Sequence, residues 1–95
     1  MRGVSPVGHV YGVPVAVTAH EGRPVRFVWE RRVYNVRHII DHWITLRADW
    51  SPEVHEELPQ RAHWRVEAGS PGARGVYELQ HDSVSGQWLL ARVWD

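Results

Sequence analysis

The side chains with most to offer a partner are eleven arginines and six tryptophans, set in 95 residues that contain neither lysine nor cysteine. A guanidinium binds carboxylate or phosphate through a planar fork and stacks on aromatic faces, which an ammonium does poorly. The six indoles, Trp29, Trp43, Trp50, Trp64, Trp88 and Trp94, exceed what so small a core encloses, because each covers about 150–250 Å2 when buried. Some are expected at the surface, beside arginine. Such a surface can stack the bases of single-stranded nucleic acid while pairing with its phosphates. The same two residue types also anchor protein interfaces.

Other chemistries find less support. Without cysteine there is no disulfide, thiolate zinc site or thiol nucleophile. No serine sits in a G-x-S-x-G elbow, so acyl transfer lacks its nucleophile. His38 and His42 are four apart, with His55 and His63 following, yet on a strand the first two stand about 13 Å apart, too far to share one ion. Asp49, Glu53, Glu56 and Glu57 form an acidic cluster of the kind a solvated loop carries. The glycine-rich stretch 69–75 lacks the Lys-Ser/Thr pair of a phosphate loop and leads into a strand. No catalytic residue, metal ligand or cofactor is therefore expected; a small-ligand or histidine–metal site ranks below recognition. The seven histidines add positive charge as pH falls through about 6.5, so partner binding can respond to pH.

The elements that must position these residues read as strands. Residues 1–11 are small and turn-prone, a loosely held arm, with order expected from about Val13 and a single β domain over 12–95. Val13, Val15 and Val17 alternate with Pro14, Ala16 and Thr18, the period of a half-buried strand. His20-Glu21-Gly22-Arg23 turns the chain, and Val25, Phe27 and Trp29 repeat the alternation with Arg26 opposite them. From Tyr34 to Leu46 the residues Tyr34, Val36, His38, Ile40, His42, Ile44 and Leu46 share one parity, with Asn35, Arg37 and Trp43 on the other. Thirteen residues imply a bent or bulged strand, and a helical turn at 37–44 is the competing reading. Ser51-Pro52-Glu53 suits a helix start, so a short helix or ordered loop is expected near 51–58. Further strands follow over His63–Glu67, Val76–His81 and Trp88–Trp94, joined by turns. In the last of them Leu89, Ala91 and Val93 form the apolar face, leaving Trp88, Arg92 and Trp94 outward. The fold expected is all-β: about six antiparallel strands in a strongly curved sheet or small barrel. Its recognition surface is Arg26, Arg37, Trp43, Trp88, Arg92 and Trp94.

Eleven basic residues balance eleven acidic ones, so no whole-molecule field selects a polyanion. Locally the balance is +4 over residues 1–47, −3 over 48–67 and −1 over 68–95. No apolar run approaches the roughly 18 residues needed to span a bilayer, and the first residues lack a leader's apolar stretch. A cytoplasmic, membrane-free protein is the expectation.

The stretch Pro24-Val-Arg-Phe-Val-Trp-Glu-Arg-Arg-Val-Tyr-Asn-Val36 carries a resemblance together with Trp43, Trp64-Arg-Val66, Gly75-Val-Tyr-Glu-Leu79 and Trp88-Leu-Leu-Ala-Arg-Val-Trp-Asp95. Over roughly residues 13–95 the chain resembles a group of small bacterial proteins of unknown function, common in GC-rich genomes. These are similar to the tail that follows the little-finger region in ImuB-like Y-family DNA polymerase homologues. Two departures stand out: Glu30-Arg31 replaces a usual Arg-Gly turn, and the Trp50 region lacks a tandem tryptophan. The resemblance implies a free-standing accessory module of DNA repair or translesion synthesis rather than a catalyst. Its partner would be single-stranded nucleic acid or a DNA-repair protein. The alternative is a protein–protein module that uses the Arg/Trp surface or a sheet edge.

Overall fold

The computed structural model describes residues 9–46, 60–70 and 73–94. These form seven strands: β1 (His9–Pro14), β2 (Ala16–His20), β3 (Arg23–Trp29), β4 (Arg32–Leu46), β5 (Gln60–Ser70), β6 (Ala73–Asp82) and β7 (Trp88–Trp94). All belong to one antiparallel sheet in the order β1-β7-β6-β5-β4-β3-β2, strongly curved into a half-barrel. The all-β expectation holds, with seven strands in place of about six. The extra strand arises because the valine run is split at Val15: β1 pairs with β7 and β2 with β3, at opposite edges of the sheet. One residue joins the two edges, so the sheet must roll up to bring them together. Val15 donates its N–H to the Trp88 carbonyl at 3.1 Å and holds the seam.

Pairing begins earlier than the sequence reading places it. His9 and Val10 already oppose Val93 and Arg92, so residues 9–11 belong to the sheet, because β7 supplies an edge for them. Residues 1–8 and the expected helix or loop near 51–58 lie outside the described residues. Residues 37–44 are strand throughout, not a helical turn.

Two-residue turns close the β2–β3 and β3–β4 hairpins. Glu21 and Gly22 have φ of 52° and 80°, and Glu30 and Arg31 have φ of 51° and 66°; positive φ at both positions matches the twist of the flanking strands. The core lies on the concave face, where Phe27, Val66, Leu79 and Leu90 are fully buried. Phe27 stacks on Tyr34 with ring centres 5.0 Å apart and meets Tyr77 edge-on at 5.3 Å. Trp29 closes this cluster against Tyr11 and Tyr77. Each such pair adds about 0.5–1.5 kcal/mol beyond the area it buries.

Bulges decide which side chains share a face. Arg37 and Ile40 are extra residues of β4 against β5, Ala91 is extra in β7 against β6, and Val25 is extra in β3 against β2. A slip of one residue moves every later side chain to the other face. The expected one-parity face of β4 is therefore broken: Tyr34, Val36, His42, Ile44 and Leu46 keep it, Ile39 joins it beside Val66, and His38 turns outward beside Glu67. In β7, Trp88 and Leu90 oppose His81 and Leu79 on the concave face, while Leu89, Arg92 and Trp94 face out. In β3, Val25 leaves the apolar row and Pro24 is buried in its stead.

Candidate functional site

The convex face of β4–β7 carries cross-strand rows of polar and aromatic residues. One row runs Asp41, Arg65, Glu78, Arg92; the next runs Trp43, His63, Gln80, Leu89. Arg65 is the hub. Its guanidinium lies 5.4 Å from the Trp43 ring centre and 5.0 Å from that of Trp94, and Arg92 stands 6.0 Å from Trp94. Each contact falls in the range where a cation is attracted to the ring quadrupole. Beneath them Glu78, whose side chain is only 10% exposed, approaches Arg65 Nη2 at 4.0 Å and His63 Nδ1 at 3.7 Å. A carboxylate this buried is offset by guanidiniums, Arg65 and Arg92, on either side of it in the row.

His63 is held flat against Trp43, with ring centres 5.1 Å apart and planes 2° apart. Its Nε2 meets Thr45 Oγ1 at 2.9 Å, while Nδ1 is buried without a hydrogen bond, since 3.7 Å to Glu78 is too long for one. Burial pushes its pKa below the ordinary histidine value; Glu78 opposes that shift and Arg61 adds to it. The ring is therefore neutral near pH 7. The order Glu78, His63, Thr45 is that of an acid–histidine–hydroxyl relay, but the gap to Glu78 leaves the imidazole unoriented by its acid. Among the described residues no group of three or more His, Asp or Glu could hold a metal ion.

A second polar region runs along β3 and the start of β4, from the β2–β3 turn at one end to the β3–β4 turn at the other. Arg23, Arg26, Arg31, Arg32 and Arg37 are all exposed, against Glu21 and Glu30. Among the described residues none of the five makes an ion pair. Arg26 sits between Thr18 and Asn35 across the sheet, with no aromatic ring in its row. By contrast, on β5–β7 Arg61 stands opposite Asp82, and Arg65 and Arg92 flank Glu78, while Arg74 faces Gly69.

The six residues expected to form one surface are thus divided. Trp43, Arg92 and Trp94 do share a face, joined by Arg65. Trp88 does not: the Ala91 bulge turns it to the concave side, where it packs on the core and lies 4.7 Å from the His81 ring. Arg26 lies mid-way along β3 and Arg37 near the start of β4, and Trp94 is four strands away from Arg26 in the sheet. The sequence reading missed Arg65 and Glu78, and weighed His63 only as a metal ligand. Their signal was parity: in HWRVE the buried Trp64 and Val66 force His63, Arg65 and Glu67 to the opposite side.

Set beside known proteins, residues 4–95 match the family described as Domain of unknown function (DUF6504), and the chain belongs to that family. No curated protein matches it, and no solved structure matches it.

Proposed function

We propose that this DUF6504 member is a non-catalytic recognition module for an acidic segment of a partner protein. The observation that carries this reading is the separation of its free cations from its aromatic platform. Arg23, Arg26, Arg31, Arg32 and Arg37 outnumber nearby carboxylates and are exposed, so they are available to counter negative charge. A single-stranded nucleic acid needs phosphate contacts and stacking rings together, at the spacing of one nucleotide. Here the rings of Trp43 and Trp94 already hold Arg65, and the acids of that face balance its arginines. The resemblance to polymerase tails makes a DNA-repair protein the expected source of the acidic segment.

The test pairs two titrations followed by tryptophan fluorescence and amide shifts. A glutamate-rich peptide is expected to shift amides around Arg26 and Arg37, and the double variant Arg26→Glu/Arg37→Glu to abolish the response. Oligothymidine is expected to leave the indole emission unchanged. Saturable quenching by oligothymidine that falls steeply between about 50 and 200 mM salt would replace this reading with nucleic-acid binding.

A further inference from the structure

We propose that the fork between β3 and β4 is a strand-docking groove for an extended partner segment that alternates apolar and acidic residues. The inference rests on the protein-recognition reading and adds where and how the partner lies.

The fork is a feature of the backbone. The β3–β4 ladder stops at Arg26 opposite Asn35. Beyond it Arg23 and Pro24 pair only with β2, and β4 continues to Leu46 paired only with β5. Among the described residues the fork-facing edge of β4 therefore has no ladder partner from Val36 to Leu46. Such an edge is a template for an added strand, which gains affinity from main-chain hydrogen bonds and selectivity from alternate side chains. The split coincides with Pro24, which has no N–H to donate, and with the bulges at Val25, Arg37 and Ile40. Bulged edges resist indiscriminate pairing, so side chains must select what docks.

The space and its chemistry agree with that occupant. Two open clefts of about 590 and 460 Å3 lie along the fork and share Glu21, Arg23 and Ile39 in their walls. Trp64, with His42 stacked on it at 3.6 Å, walls the first, and Pro24 and Val36 wall the second. Ile39, exposed and common to both clefts, and the half-buried Val36 offer the apolar surface on which a docking side chain can pack. Arg23 and Arg37 are exposed at the rim, against one carboxylate, Glu21. On an extended segment successive side chains alternate sides, so apolar residues face Ile39 and Val36 while acidic ones face the two guanidiniums.

The test uses the full chain, isotopically labelled, and a capped Val-Glu-Val-Glu-Val-Glu-Val peptide, read by amide hydrogen exchange. Binding is expected to slow alternate amides within residues 36–46 by about tenfold or more as they gain ladder bonds. The Val-Lys counterpart is expected to bind about tenfold more weakly, as is the Val-Glu peptide to Arg23→Glu/Arg37→Glu, whose substitutions are on exposed side chains. N-methylation of alternate peptide residues removes binding. Protection on the Trp43–Arg65–Trp94 face with the β4 edge unchanged overturns the groove and leaves protein recognition standing. Equal binding of the Val-Lys peptide, or none of either at millimolar concentration, also overturns it. No peptide binding combined with saturable oligonucleotide binding overturns the groove and the protein-recognition reading together.

Discussion

The arginines along β3 and the start of β4 and those of β5 and β7 lie in one sheet, yet their surroundings are opposite. Arg65, its side chain 39% exposed, lies against two indoles and above a buried carboxylate. Arg26 and Arg37 stand exposed with no acid within ion-pair distance among the described residues. The first environment uses the guanidinium to hold the convex face together; the second leaves it for something else. Arginine–tryptophan adjacency is therefore a poor guide to a binding site. A cation already engaged in its own protein has little left to offer a ligand, and moving it costs stability.

The sharpest test of that contrast is removal of Glu78. Glu78→Ala removes the carboxylate facing Arg65 and leaves a gap beside the neutral His63 ring, and is expected to cost about 2–3 kcal/mol, read as a lower denaturant midpoint at constant slope. Arg26→Ala and Arg37→Ala are expected to cost under about 0.5 kcal/mol each while weakening acidic-peptide binding. If Glu78→Ala is as mild as the other two, the two regions are not different in kind.

Arg65→Lys comes next in size. The ammonium keeps the charge opposite Glu78 but loses the guanidinium's contacts with the Trp43 and Trp94 rings, so a loss of about 1–2 kcal/mol is expected by chemical denaturation, with a red shift in indole emission. An unchanged midpoint would reduce the two indole contacts to coincidence of packing.

Much of this architecture was legible in the residues and part was not, for a definite reason. Alternation marks strands wherever one face is buried, and Glu21-Gly22 and the 83–86 turn announce themselves by residue type. A bulge has no comparable signature. Ala91 looks like one more apolar residue in a regular run, yet it occupies the extra position that sends Trp88 inward and Leu89 outward. Arg37 and Ile40 do the same twice within five residues, which is why a sound period-2 reading of β4 misplaces His38. The split at Val15 is equally silent, because it depends on the sheet rolling up until its two edges meet.

Acid provides a test of the convex face alone. His63 is held neutral by burial, so its folded pKa lies below the unfolded value of about 6.5. The unfolded chain then binds more protons as pH falls through 6.5, and native stability declines with it. Denaturation midpoints measured between about pH 7.5 and 5 are expected to fall, and to fall less in His63→Gln, which can still bond to Thr45. Arg26→Ala should leave the slope unchanged. Equal slopes in wild type and His63→Gln would place the acid sensitivity elsewhere.

The smallest expected effect bears most directly on why the exposed arginines are where they are. Arg31 has φ of 66°, a conformation a side chain adopts at a cost of about 1–2 kcal/mol and glycine adopts freely. Glycine also loses more freedom on folding, so Arg31→Gly should gain only about 0.5–1 kcal/mol. An exposed arginine here contributes no packing that offsets the strain. Charge is what Arg31 adds, at a hairpin tip between Glu30 and Arg32. If that charge serves recognition, Arg31→Gly will raise the unfolding midpoint and lower acidic-peptide affinity in the same sample, a trade that stability alone does not explain. A gain in stability with affinity unchanged would instead make the arginine a bystander, and would confine the binding surface to Arg23, Arg26 and Arg37.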